Sequence, residues 1–264
     1  MMEKRSLVIG NTSQLSYYFP KNYEKISSRN IDVEKIRLGG YESVYILFAE
    51  QRTFLNETEK FFTDINVTVT LNLIDSIKDF VKKVIIYSTS ELWNNCEGKV
   101  FVSDDYNYNY TPYIKSKEIL CNCINEKKEL YNNVHIIYPF NFNTPYRKKG
   151  FLFSKIFDSL INKTTNFIGD INFERDLIHP YSIVQESITT RSDKLIGCGE
   201  LINIENFVSD LFNIHNMNYK DYLVKNNNQN LPNTRKDYLS GIGYSNYKEL
   251  LKLTNKDIYE YKIS

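Results

Sequence analysis

Several things are scarce in this sequence. None of the apolar runs in its 264 residues approaches the length of a membrane span, which argues against an integral membrane protein. There is almost no net charge: 33 Lys and Arg stand against 32 Asp and Glu, a formal +1, so no broad basic surface points to nucleic acid. The four cysteines are Cys96, Cys121, Cys123 and Cys198. Cys121-Asn122-Cys123 is too tight for a zinc knuckle, and no His or Cys partner lies at metal spacing, so no metal site is expected. Idle thiols suit a reducing compartment. The three histidines, His135, His179 and His215, stand apart from one another and read as structural. No internal repeat is visible. The strand-like Ser6-Leu7-Val8-Ile9 begins almost at once and leaves no room for a signal peptide, so a cytoplasmic protein is expected.

What is present in the first half is alternation. Leu7-Val8-Ile9-Gly10 reads as an apolar strand ending in glycine, with a helix starting after it. Lys25 to Ser28 is a second short strand, and Ser43 to Phe48 a third, apolar on both faces. Asn66 to Val81 carries Val67, Leu71, Leu73, Ile74, Ile77 and Phe80 at helical spacing, and Lys83 to Thr89 returns to strand. A helix around Tyr113 and the strand Val134 to Tyr138 complete the series. Strands separated by helices imply a doubly wound parallel α/β sheet with its ligand at the strands' carboxyl ends. From Pro139 the texture shifts to Asn- and Tyr-rich loops with shorter helices at Phe153–Ile161 and Ile204–Phe212. The boundaries are therefore 1–138 for the α/β domain and 139–264 for a smaller lobe interleaved with the sheet. Asn226 to Asn233 reads as a surface loop.

One spacing carries chemistry. Tyr113 and Lys117 stand four apart, which puts a phenol and an ammonium on the same face of a helix. The ammonium favours the phenolate, so a phenol with an intrinsic pKa of about 10 can exchange protons near neutrality. With 21 tyrosines such a pair arises easily by chance. Its place after the strand that ends at Ser88-Thr89 makes it informative. That strand supplies the hydroxyl of Thr89, and the three groups together can move a proton and a hydride at a carbinol carbon.

At this point the chain resembles the extended short-chain dehydrogenase/reductases that act on nucleotide-activated sugars. The resemblance covers nearly the whole chain. It rests on Gly10 to Ser16, Asn66-Val67-Thr68, Ser88 to Trp93, Tyr113 to Lys117, Pro139-Phe140-Asn141 and Arg175-Asp176, in that order. It implies a Rossmann fold, a doubly wound parallel sheet with a small C-terminal substrate lobe. It further implies Thr89, Tyr113 and Lys117 as catalytic residues, with Glu91 beside them. Cofactor contacts would come from Gly10, Asn11, Thr12, Ser13, Gln14 and Leu15, from Phe48, Ala49, Glu50 and Asn66, from Tyr113 and Lys117, and from Pro139, Phe140 and Asn141. Ser90, Glu91, Asn141 and Arg175 would meet the substrate.

The sequence departs from the family at the phosphate loop. The family carries G-x-x-G-x-x-G, and the three positions here are Gly10, Ser13 and Ser16. The first glycine, which makes the tight turn, is kept; the other two are exchanged for the smallest hydroxyl residue. Adapted or weakened dinucleotide binding is expected, with a serine hydroxyl donating to a phosphate at the helix start. After the second strand Ser28, Arg29 and Asn30 suit the extra phosphate of NADP, with NAD the alternative. Asp32-Val33 is similar to the dipeptide that contacts adenine in dTDP-4-dehydrorhamnose reductases.

Ser88-Thr89-Ser90-Glu91-Leu92 pulls towards GDP-mannose 4,6-dehydratases and UDP-glucuronate decarboxylases, where the Glu manages a proton beside a transient 4-keto group. Two enzyme readings follow from the resemblance. In the first, a 4-keto-6-deoxy sugar nucleotide is reduced by NADPH for surface polysaccharide synthesis. In the second, a dehydratase, epimerase or decarboxylase recycles its NAD. A non-catalytic dinucleotide or sugar-nucleotide sensor is a third, although retention of Thr89, Tyr113 and Lys117 together argues against it. A nucleotide-sugar substrate, no nucleic-acid or membrane partner, and homodimerisation through the Tyr113 helix are the implied associations.

Overall fold

A computed structural model of the chain describes residues 5–52, 57–147, 149, 151–226 and 236–263. Its strands are β1 (Arg5–Ile9), β2 (Glu24–Ile26), β3 (Tyr41–Ile46), β4 (Lys83–Tyr87), β5 (Gly98–Val100) and β6 (Val134–Pro139). They continue with β7 (Asn166–Ile168), β8 (Glu174–Arg175), β9 (Lys194–Ile196), β10 (Ile202–Asn203), β11 (Leu223–Lys225) and β12 (Tyr238–Ser240). The helices are α1 (Val33–Leu38), α2 (Glu59–Thr63), α3 (Thr70–Ile77), α4 (Pro112–Asn125), α5 (Leu152–Asn162), α6 (Pro180–Thr189), α7 (Ile204–Ile214) and α8 (Tyr247–Ile263). Two compact units emerge. The first comprises Met1–Asn94, Val102–Pro139 and Val184–Leu195, and the second Asn95–Phe101, Phe140–Ile183 and Ile196–Ser264.

The first unit is built on a six-stranded sheet in the order β2-β1-β3-β4-β6-β9. The pairs β1–β2, β1–β3, β3–β4 and β4–β6 are all parallel. Strands covered on both faces need apolar residues at every position, and Leu7-Val8-Ile9, Val44-Tyr45-Ile46 and Val84-Ile85-Ile86 are all buried. The order reverses between β1 and β3, and at such a switch point an open α/β sheet leaves a crevice beyond the strands' carboxyl ends. Gly10, the segment after β3 and Ser88-Thr89 all lie at that edge.

Two features differ from the sequence reading. After β1 there is no α-helix but a five-residue 3-10 stretch, Gln14–Tyr18. Three aromatics, Tyr17, Tyr18 and Phe19, followed by Pro20 do not sustain a helix. The helix expected from Asn66 begins at Glu59, where the Thr58 hydroxyl caps it by accepting from the Phe61 N–H. It passes through a π-helical stretch, Asp64–Val69, before α3, so Asn66 lies inside a helix and not at its start. Asp32 is exposed and accepts from the Lys35 N–H as the N-cap of α1, while Val33 is its first residue. The Asn-rich stretch beyond Asn226 lies outside the described residues.

The second unit holds three two-stranded pairs, β8–β10, β7–β11 and β5–β12. Its core gathers Phe153, Ile156, Phe157 and Leu160 from α5, Phe207, Val208, Leu211 and Phe212 from α7, and Leu250 and Ile258 from α8. Each such side chain contributes about 1.5–3 kcal/mol on burial. Inside this unit the Asp176 carboxylate accepts from the backbone N–H groups of Cys198, Gly199 and Ser240 at 2.6, 3.0 and 2.9 Å. His179 Nδ1 accepts from the Tyr181 N–H, so Nε2 carries the proton and donates to Asp257 at 3.0 Å. That histidine is structural, as its sequence context suggests.

Candidate active site

Helix α4 presents the Tyr–Lys pair. Thr111 caps it by accepting from the Ile114 N–H, and Pro112 occupies its first turn, which needs no donor there. Ile114, Lys117, Leu120, Cys121 and Ile124 form the inward stripe. Lys117 is buried, and Nζ donates to the Tyr87 carbonyl oxygen at the end of β4, 2.9 Å away. An ammonium has three donors, so two are left after that bond. Burial holds Lys117 down, to about 8. Tyr113, one turn earlier, is half-buried, with its ring edge-on to Phe62 of α2.

The end of β4 supplies the rest. Thr89 is buried and caps the 3-10 turn Ser90–Trp93 by accepting from the Glu91 N–H at 3.2 Å. That contact uses the hydroxyl oxygen as acceptor and leaves its proton to be donated. Glu91 is half-buried and accepts from the Asn94 amide at 3.1 Å, while the Asn94 oxygen accepts from the Asn109 N–H at 2.7 Å. Glu91 is thus oriented by Asn94. Ser90 is buried beside it.

Asn66 joins three segments. Its amide oxygen accepts from the Glu50 N–H at 2.7 Å, and its Nδ2 donates to the Glu50 carbonyl and to Ser116 Oγ, both at 3.0 Å. Ser116 in turn donates to the Tyr113 carbonyl at 2.7 Å. The loop after β3 is thereby tied to the helix of the Tyr–Lys pair. The carboxylate of Glu50 is engaged by Arg52 through Nε at 2.9 Å and Nη2 at 2.6 Å, and hydrogen bonds from Arg52 hold it below the usual carboxylate range. Phe48 and Ala49 are half-buried at the same edge.

The phosphate loop is partly retained. Gly10 has φ +112, and a Cβ there would come within 3.2 Å of Leu47 Cβ and 3.3 Å of the Phe48 nitrogen, so any side chain is strained and crowded there. The loop's N–H groups turn inward: Gly10 and Asn11 donate to the Ile26 carbonyl, and Ser13 to the Gly10 carbonyl. Asn11 and Thr12 are exposed, Ser13 half-buried, and Gln14, Leu15 and Ser16 buried. The expected helix start for a phosphate is absent, because the 3-10 stretch is one short turn. At the far end of β2, Ser28, Arg29 and Asn30 are exposed on a turn closed by the Asn30 N–H to the Ser27 carbonyl.

Other anticipated residues are engaged within their own unit. Pro139 ends β6 in the first unit. In the second, the Phe140 ring is buried against Tyr238, and Asn141 accepts from the Ile178 N–H through its carbonyl. Arg175 donates to the Glu174 carbonyl at 2.6 Å, lies over the Phe173 ring, and approaches Asp237 at 3.8 Å. Sequence reasoning missed Ser116, visible inside Tyr113-Ile114-Lys115-Ser116-Lys117, and Asn94, one turn past Glu91. It also missed the anchoring role of Asp176, whose partners lie far along the chain.

Residues 54–243 match the family described as GDP-mannose 4,6 dehydratase. The chain belongs to that family of extended short-chain dehydrogenase/reductases, enzymes of nucleotide-sugar chemistry. No curated protein matches the chain. Among solved structures it is similar to a UDP-N-acetylglucosamine 4-epimerase from Methanobrevibacter ruminantium M1 in complex with UDP-N-acetylmuramic acid. That likeness is 18% identity over 99% of this chain and 100% of the other, with a TM-score of 0.80. It is also similar to RMD from Pseudomonas aeruginosa complexed with NADPH, at 13% identity over 99% and 100% of the two chains and a TM-score of 0.77. A third is dTDP-glucose 4,6-dehydratase from Bacillus anthracis in complex with NAD, at 15% identity, 98% and 97% coverage and a TM-score of 0.72. At these identities the likeness is one of fold. Among the described residues no helix is long and apolar enough to cross a membrane.

Proposed function

We infer that this enzyme transfers a proton and a hydride at C4 of a nucleotide-activated sugar with the help of a bound nicotinamide dinucleotide. The observation that carries the reading is Lys117: a buried ammonium at the carboxyl end of β4 with one protein acceptor and two donors to spare. Those donors suit the hydroxyls of a ribose, and the charge favours the phenolate of Tyr113 one turn away. The dinucleotide, when bound, supplies or takes up the hydride. Tyr113 gives a proton to the C4 oxygen or removes one, and Thr89 donates its remaining hydroxyl proton to the same oxygen. Ser28, Arg29 and Asn30 are the proposed contacts of the adenosine end, with NADP favoured by the guanidinium. Arg175, Ser90 and Asn141 are the proposed sugar-nucleotide contacts.

The family match and the oriented Glu91 favour a dehydratase- or epimerase-type reaction, in which the nicotinamide returns to its starting state. In the dehydratase form Glu91 removes the proton at C5 as the C6 hydroxyl leaves as water, whereas an epimerisation at C4 needs no such step. Net reduction of a 4-keto-6-deoxy sugar for a surface polysaccharide is the second reading, favoured by Arg29. The purified enzyme is to be offered GDP-, dTDP- and UDP-sugars while nicotinamide absorbance and products are followed. Turnover without net absorbance change supports the first reading, and stoichiometric consumption of NADPH the second. Tyr113→Phe is expected to lower turnover by about 10² or more. Unaltered turnover in that variant removes Tyr113 from the mechanism.

A further inference from the structure

Behind the Tyr–Lys face of α4 lies a buried polar cluster that the reaction does not use directly. Cys121, one turn beyond Lys117 and fully buried, donates its thiol to Ser88 Oγ at 3.2 Å. The same thiol meets the hydroxyls of Tyr106 and Tyr138, which hydrogen-bond each other at 2.9 Å. The Trp93 indole packs edge-on against both tyrosine rings, with centroids 5.1 and 5.3 Å away, and donates to the Asp104 carbonyl. Four segments therefore converge on one sulfur: the end of β4, helix α4, strand β6 and the loop before α4.

The arrangement is directional. Ser88 and Tyr87 are consecutive, and they receive the two consecutive inward polar groups of α4, Cys121 and Lys117. Ser88 is held from its other side by its own N–H to the Ile137 carbonyl at 2.8 Å, so it cannot follow the helix if the helix shifts. Thr89 is the next residue. A helix fixed at one contact can still rotate about it, whereas two contacts one turn apart fix both its rotation and its height against the strand.

We propose that Cys121, acting through Ser88 and the Tyr106–Tyr138 pair, is a positioning residue that sets where Lys117 and Thr89 stand. The inference rests on the reading of Lys117 as the cofactor-ribose contact. The thiol acts as a neutral donor, and serine, with a smaller oxygen in place of the sulfur but equally a donor, is the conservative replacement. Alanine deletes the donor and leaves Ser88, Tyr106 and Tyr138 without their common partner.

The test compares wild type, Cys121→Ser and Cys121→Ala, with Ile124→Val as a control for plain destabilisation in the same helix. NADPH and NAD binding is read by titration, and crystal structures of the three position-121 proteins read the Lys117 Nζ to Tyr87 oxygen distance. Cys121→Ala is expected to weaken dinucleotide binding about tenfold and to displace Lys117 from its carbonyl partner. Cys121→Ser is expected to recover binding to within about twofold, and Ile124→Val to bind like wild type. Wild-type binding in Cys121→Ala, or an undisturbed Lys117 in its crystal structure, overturns the proposal. So does a serine variant as weak as the alanine one. If wild type binds neither dinucleotide, the functional reading fails, and the crystallographic distances alone decide the positioning role.

Discussion

Lys117 is expected to make the enzyme less stable than it need be. Its folded-state pKa lies at about 8, against 10.5 for an unperturbed lysine. At 1.36 kcal/mol for each pKa step, holding the charged form inside the protein costs about 3 kcal/mol. Lys117→Met removes that cost and loses the bond to the Tyr87 carbonyl, worth about 1.5 kcal/mol for a charged donor. At pH 7 the variant should therefore be more stable by about 1–2 kcal/mol while failing to bind dinucleotide. The pH dependence fixes the cause. Between pH 8 and 10.5 the unfolded chain holds a proton that the folded protein has released, so wild-type stability rises with pH through that window. The methionine variant lacks this rise. Its advantage should shrink by about 3 kcal/mol over the window and change sign near its middle, at about pH 9. Urea unfolding of both proteins at pH 7, 8, 9 and 10 measures the difference directly, since every other titrating group is shared. A stability difference that stays constant with pH, or a variant weaker than wild type at pH 7, would refute the reasoning.

Two further outcomes are expected. Burial pushes the Asp176 carboxyl up to about 6 despite its three backbone donors, so the folded protein keeps a proton there that the unfolded chain releases near pH 4. Wild-type stability should thus fall by about 2 kcal/mol more than that of Asp176→Asn as pH rises from 4 to 6. Parallel urea series would show this, and identical slopes would exclude it. Arg29→Ala should weaken NADPH binding about tenfold and leave NADH binding unchanged. Equal losses for both cofactors in calorimetric titrations would remove Arg29 from the phosphate contact.

The sheet was legible because its strands are buried on both faces: runs such as Val84-Ile85-Ile86 announce themselves without alternation. The Tyr113–Lys117 pair was legible because a helical turn translates directly into sequence spacing. The start of the helix before α3 was not, since the π-helical stretch Asp64–Val69 adds residues to a turn and breaks the 3.6-residue rhythm. Helix α8 was missed because its buried residues Leu250, Thr254 and Ile258 sit among lysines and asparagines. The anchoring role of Asp176 could not be read. Its three donors come from residues 198, 199 and 240, and nothing local distinguishes it from a surface aspartate.

The chain's single tryptophan is Trp93, buried between two phenol rings on the turn that carries Glu91. Indole emission from this protein is consequently a one-site optical gauge. It registers rearrangement around the Ser90–Trp93 turn, and it carries no direct signal from loosening of the α5–α7–α8 core, which must be followed by circular dichroism or hydrogen exchange instead.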